Sequence, residues 1–389
     1  MTPVSEDERL ARAGLTAVCE PGDVGTARRV AERGAVEVWR ALDAEVRAAA
    51  MPARHLARVA HLGGRLLVPG DEDWPLPVDR LATADYEEAP PHEWMREPLA
   101  LWVLGPLSLA DASARAVAVV GARAASGYGL HVAAELGTGL ALRGAVVVSG
   151  AAFGIDAGAH KGAIAGDAPT VAVLAGGVDV PYPRSHSALL ERIRREGSLV
   201  SEVPPGYAPF RQRFLRRNRL IAALSRATVL VEAGPRSGAL NTCRHARAIA
   251  RPVLAVPGPV TSPMSVGCNR LIRSGHALLA TDADDVLGVA MPLGSPLAVG
   301  SQQELALEPG GGDPRDGLRA EVARLLDAVP SRSPAPLDRI AAIARVAARQ
   351  AAVELSCLEE AGLVEHAGGG WRLTAMGRRP SARDAPVGG

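Results

Sequence analysis

Residues 210–226, FRQRFLRRNRLIAALSR, carry six arginines: Arg211, Arg213, Arg216, Arg217, Arg219 and Arg226. No aspartate or glutamate lies between Glu202 and Glu232, so nothing nearby in the sequence offsets that charge. The basic run passes straight into the apolar stretch 220–224, which a disordered basic tail would not do. Cations fixed on an ordered element suit a polyanion, and a nucleic-acid backbone is the commonest one. A solvated arginine face is the plainer alternative, and the surrounding sequence weighs against it.

Four glycine-containing turns make up that surrounding. Each follows an apolar run: Gly121-Ala122-Arg123 to Gly127, Ser149-Gly150 to Asp156, Glu232 to Gly238, and Pro257-Gly258. Glycine lets backbone N–H groups approach a phosphate, and a following helix N-terminus adds a positive field. One such turn is weak evidence; four beside an arginine cluster are stronger. They are not the dinucleotide fingerprint, because GxGxxG is absent, and no GxxxxGK[ST] loop supports ATP hydrolysis. Asp156 and His160 stand four apart in GIDAGAH. They read either as an acid/base pair or, more plainly, as an N-cap and a packed histidine. Glu232 ends a strand-like run near Ser237 but has no second carboxylate or nucleophile–base pair close in sequence.

The elements that must position these residues fall into zones. Residues 1–60 are rich in Ala, Arg and Glu at helical spacing, with breaks at Pro21-Gly22 and Gly34, and predict a small helical domain. Residues 61–290 alternate apolar strands (117–120, 145–148, 170–174, 228–231, 252–256) with helical stretches, which predicts a doubly wound, mostly parallel sheet. Shorter strands near 65–68 and 100–104 extend it. Residues 291–315 read as a flexible Pro/Gly-rich linker. Residues 316–375 predict three helices and a glycine-turn hairpin, the outline of a winged-helix domain, followed by a disordered tail over 376–389.

Composition bounds what remains. The chain has 389 residues, 48% of them apolar, enough for two or three packed domains, and a net charge of only +1. No uninterrupted apolar window reaches membrane-spanning length, and MTPVSEDERLARAG has no apolar core of a secretory signal. Cys19, Cys243, Cys268 and Cys357 form no CxxC pair, which fits reduced thiols in a cytoplasmic protein and no metal site. Lys161 is the one lysine among 43 basic residues, a coding bias and not a specific arginine chemistry. Aromatics are only 3%, which argues against a base-stacking platform.

The segments VAVVGARAASGYG, SGAAFGIDAGAH, VLAGGVDVPYP, GSLVSEVPP, FLRRNRLIAALS, VEAGPRSGALNT and LAVPGPVTSPMSVGCNRLI follow one another in this order. Together they resemble the DprA (Smf) family of bacterial DNA-processing proteins over roughly residues 64–290. The flanks resemble, more weakly, that family's sterile-alpha-motif or helix-hairpin-helix-like domain and its winged-helix domain. The resemblance implies an extended Rossmann-like fold with no cofactor, no metal and no catalytic residue. It implies a homodimer that binds single-stranded DNA, protects incoming DNA in natural transformation, and helps load RecA recombinase onto strands covered by single-strand-binding protein. By motif, Arg123 would contact a phosphate, with Gly121, Ser149 and Gly150 offering donors. Arg211, Arg217 and Arg219 would hold the backbone, Phe214 would stack on a base, and Asn218 would fix the loop. Ser237, Gly238 and Thr242 would close the pocket. The first turn reads Gly-Ala-Arg where the family commonly has Gly-Ser-Arg. The rival reading is a phosphoribohydrolase-like nucleotide hydrolase, but EAGPRSGALNT lacks the glutamates that follow that enzyme's glycine loop.

Overall fold

The computed structural model describes residues 4–86, 95–291 and 320–374, apart from 332, 361 and 368. The expected linker, save Met291, and the expected tail lie outside the described residues. Two compact units divide the chain, residues 1–300 and 301–389.

Short helices open the first unit: α1 (Glu6–Val18), α2 (Val24–Arg33), α3 (Ala35–Arg40), α4 (Ala44–Ala50) and α5 (Pro52–His61). Ser5 and Asp23 cap α1 and α2, each accepting a hydrogen bond from a backbone N–H three residues on, and so satisfy donors that a helix start leaves free. Leu15, Val38 and Trp39 close a small core among these helices. The other side of α1 docks on the sheet, where the Trp102 indole N–H donates to Thr16 Oγ1 at 3.2 Å. Helices 1–60 therefore belong to the same compact unit as the sheet.

The sheet follows as β1 (Gly64–Leu67), β2 (Leu101–Leu104), α6 (Leu109–Ala114), β3 (Ala116–Val120), α7 (Gly127–Leu142), β4 (Val146–Ser149), α8 (Ile155–Ala165), β5 (Thr170–Val173), α9 (Ser187–Glu196), β6 (Ser198–Ser201), α10 (Arg211–Ala223), β7 (Ala227–Leu230), α11 (Ala239–Ala248), β8 (Val253–Ala255), α12 (Val266–Arg273), β9 (Leu278–Leu279) and α13 (Ala283–Ala290). Its nine strands run in the order β1-β2-β6-β5-β4-β3-β7-β8-β9. All neighbours pair in parallel except β1 with β2 and β2 with β6. The five strands expected from apolar runs are all present. Strand β6 and the two-residue β9 were not expected, being too short and too mixed to show a period.

Strands β3, β4 and β5 are buried along their whole length, as parallel strands covered on both faces must be. The side chains of β3 alternate between two cores: Ala116, Ala118 and Val120 face one, Val117 and Val119 the other. Helices α7 and α8 cross closely because Gly137 and Gly162 lack side chains. A Cβ on either would strike backbone of the opposite helix. The α/β, mostly parallel sheet expected from the sequence is thus present, with an antiparallel edge added by β1 and β2.

The second unit contains α14 (Ala320–Ala328), α15 (Leu337–Ala344), α16 (Ala348–Glu360) and the hairpin β10 (Val364–Ala367) and β11 (Gly370–Leu373). The hairpin pairs Val364 with Leu373 and His366 with Trp371. Leu325, Leu326, Ile340, Leu355 and Val364 form its own core.

Candidate nucleic-acid interface

Strand order reverses at β3. From there the chain steps through β4 to β6 on one side, then returns by α10 to β7 on the other. In open α/β sheets a crevice forms at the carboxyl ends of such strands. Here it is a pocket of about 770 Å³, walled by the turns after β3, β4 and β7 and by one side of α10. Gly121, Arg123, Phe214, Arg217, Asn218, Ser237, Gly238 and Thr242 all line it, so residues from three separate segments meet there, joined by Ala152 and Asp156 from a fourth.

Arg217 supplies the buried charge. It is 6% exposed, and its Nη1 donates to Val173 O at 2.5 Å. Gly150 makes room, since a Cβ there would fall on the guanidinium. Burial pulls the Arg217 pKa down to about 10, opposed by Asp156 and reinforced by the like charge of Arg123. The side chain is still a cation at neutral pH, and its Nε–H is buried without an acceptor. Arg123 is exposed at the rim, its guanidinium 4.9 Å from the Phe214 ring centroid. Arg236, also exposed, reaches the pocket from the turn after β7. Three cations thus face one carboxylate, Asp156, whose own pKa burial pushes up while Arg217 pulls it back. An anion placed here relieves the repulsion between Arg123 and Arg217.

The remaining loop geometry is fixed internally. Asn218 Nδ2 donates to Gly238 O at 3.2 Å and ties α10 to the turn after β7. Glu232 takes the Ser126 N–H at 2.9 Å and the Ser126 hydroxyl at 2.5 Å, so its carboxylate closes the start of α7. Asp156 stands in the first turn of α8, whose N-cap is Gly154, and accepts from Gly150 N at 3.2 Å and Ala152 N at 3.4 Å. His160 is wholly buried, bonded through Nδ1 to Thr170 Oγ1 at 2.9 Å, and burial lowers its pKa to about 3. It is the packed histidine of the plainer reading, not half of an acid/base pair.

Four expected site residues lie elsewhere. Arg219 is 0% exposed and points away from the pocket into an ion pair with Glu202 at 2.6 Å. A side chain so buried cannot reach a strand in this conformation, and its expected backbone contact is corrected. Ser149 is likewise 0% exposed, its hydroxyl donating to Val119 O at 2.7 Å. The Gly150 N–H already serves Asp156, so neither residue offers the expected free donor. Arg211 is exposed at the start of α10, outside the pocket lining. Arg236 was not among the expected residues, although an arginine in a glycine turn is the same signal that marked Arg123. Nor was Tyr182, whose ring sits 5.3 Å from Phe214.

Fold and site together define a Rossmann-like α/β protein with a cationic, glycine-walled crevice at its switch point. The chain belongs to the family described as DNA recombination-mediator protein A, whose sequence model matches residues 66–290. A Mycobacterium tuberculosis protein assigned as a DNA processing protein DprA is 47% identical over 325 residues, spanning 82% of this chain and 79% of that protein. The DNA processing protein DprA of Streptococcus pneumoniae is 42% identical over 142 residues, 36% of this chain and 50% of its own. The X-ray structure of the Streptococcus pneumoniae DprA superimposes with a TM-score of 0.59 at 26% identity, covering 74% of this chain and 98% of that one. Among the described residues no helix is long and apolar enough to cross a membrane, and no group of three or more candidate ligands could hold a metal ion.

Proposed function

We propose that this chain is a recombination mediator that binds single-stranded DNA and has no catalysis of its own. The observation that carries the reading is the pocket where Arg123, Arg217 and Arg236 converge on glycine turns at the switch point. A phosphodiester seated there meets the buried Arg217 guanidinium and the rim arginines, with Asn218 holding the loop that carries Ser237 and Gly238. Family membership supports the wider role: a cytoplasmic homodimer that protects incoming DNA in transformation and hands strands from single-strand-binding protein to RecA. Residues 316–375 act as a winged-helix domain in protein contact, since Glu359 and Glu360 end its third helix and disfavour a DNA groove.

Fluorescence anisotropy of labelled oligo(dT), titrated at several salt concentrations beside a matched duplex, tests this. Three to five neutralised phosphates give a log–log salt slope of about −2 to −3.5 on a single strand. Arg123→Ala and Arg217→Ala each flatten that slope by about 0.7. Equal affinity for the duplex, or unchanged slopes in both variants, would remove the pocket from DNA binding. The hydrolase alternative predicts free base released from nucleoside monophosphates; Glu232, tied up by Ser126, argues for none.

A further inference from the structure

The chain has three phenylalanines, and none is buried in a core. Large aromatic rings ordinarily contribute most by being buried, so leaving all three outside forgoes stabilisation that the Ala- and Val-rich cores do not recover. Their positions are not scattered. Phe210 is the extended N-cap residue of α10 and Phe214 lies in the first turn of that helix. Phe214 lines the pocket between Arg123 and Tyr182. Phe153 directly follows the pocket residue Ala152 and is 49% exposed; Tyr182 is 46% exposed.

Both exposed rings are braced. His186, four residues beyond Tyr182, packs edge-on against Phe153 with ring centroids 4.7 Å apart. His186 is itself held by a 3.0 Å bond between its Nδ1 and Ala151 O. Tyr182 leans on Phe214. Rings fixed in advance lose little freedom when a ligand covers them, and Arg184, exposed between Tyr182 and His186, puts a cation beside them.

The geometry points to a base-stacking step at the pocket mouth, formed by Phe153 and Tyr182, that takes the unstacked bases of nucleotides flanking those held in the pocket. This rests on the single-strand reading above and deepens it. Phosphates in the pocket identify a nucleic acid without distinguishing one strand from two. Open aromatic faces accept only bases that are free of a partner strand, and they do so without regard to sequence.

The test compares oligo(dT) with an oligomer of equal length made of abasic tetrahydrofuran phosphates. Wild-type protein binds oligo(dT) more tightly than the abasic strand. Phe153→Ala and Tyr182→Ala each lower oligo(dT) affinity at least about fivefold, leave abasic affinity and the salt slope unchanged, and are rescued by Phe153→Trp and Tyr182→Phe. Unchanged oligo(dT) affinity in both alanine variants, or equal losses on the two strands, overturns the stacking step while leaving the pocket intact. Failure of wild-type protein to bind either strand overturns the single-strand reading itself.

Discussion

Arg217 and Arg219 stand two apart on α10 and face opposite ways. Charge and spacing in the sequence could not separate them, because a helix turn sends neighbours to different surroundings and only the packed fold says what those are. Arg123, Arg217 and Asn218 were expected in the site from the resemblance to the family's motifs, and all three line the pocket. Arg219 was misread because its partner, Glu202, is brought to it by the sheet. Burial pushes the Glu202 carboxyl up while Arg219 draws it back, and Glu202 Oε2, Arg219 Nε and Arg219 Nη1 all lack partners. Arg219→Ala therefore strands a buried carboxylate and is expected to cost about 3–5 kcal/mol in urea unfolding. Replacing both residues, Glu202→Leu with Arg219→Met, recovers most of that loss. A single variant as stable as wild type would show that the pair is not the buried unit described here.

At the scale of elements, α10 joins two parts of the fold. One side presents Phe214, Arg217 and Asn218 to the pocket. The other is gripped by the turn between α1 and α2: Arg213 pairs with Glu20 at 2.8 Å and Arg216 donates to Pro21 O at 2.9 Å. Gly22, at φ +73, leaves the space that the Arg219 guanidinium fills. Gly22→Ala adds left-handed strain and a clash with that guanidinium, about 1–3 kcal/mol together. It is expected to lower hydrogen-exchange protection along α10 and weaken oligo(dT) binding, although residue 22 is outside the pocket. Unchanged protection in α10 would mean the grip does not set the helix. Breaks at Pro21-Gly22 and Gly34 were readable in the sequence; that the first break would clasp a helix nearly two hundred residues on was not.

For the whole molecule, the cores of the two units share no residue, so a fragment of residues 301–389 is expected to unfold cooperatively alone in calorimetry. A fragment without a transition would contradict the separate core. The first unit also carries an acid sensitivity. Burial lowers His160 and His245 to about 3, against about 6.5 in an unfolded chain. From pH 6.5 downward the unfolded chain takes up protons that the native one refuses, so stability is lost as pH falls towards 3. Asp156 and Glu202, raised by burial, act in the opposite sense above the ordinary carboxylate range, where the native form keeps a proton that the unfolded form releases. His160→Gln is expected to flatten the loss between pH 6.5 and 5 by up to about 1.4 kcal/mol per pH unit; an unchanged slope would sink this assignment.

The antiparallel edge of the sheet has a consequence for the order in which the protein takes shape. Trp102 of β2 pairs with Ser201 of β6, and the α1–α2 turn closes on α10, which follows still later. On a ribosome adding about 5–20 residues per second, β2 waits on the order of 5–20 s for β6, and the α1–α2 turn on the order of 10–40 s for α10. These early elements are thus made well before the partners that hold them in place.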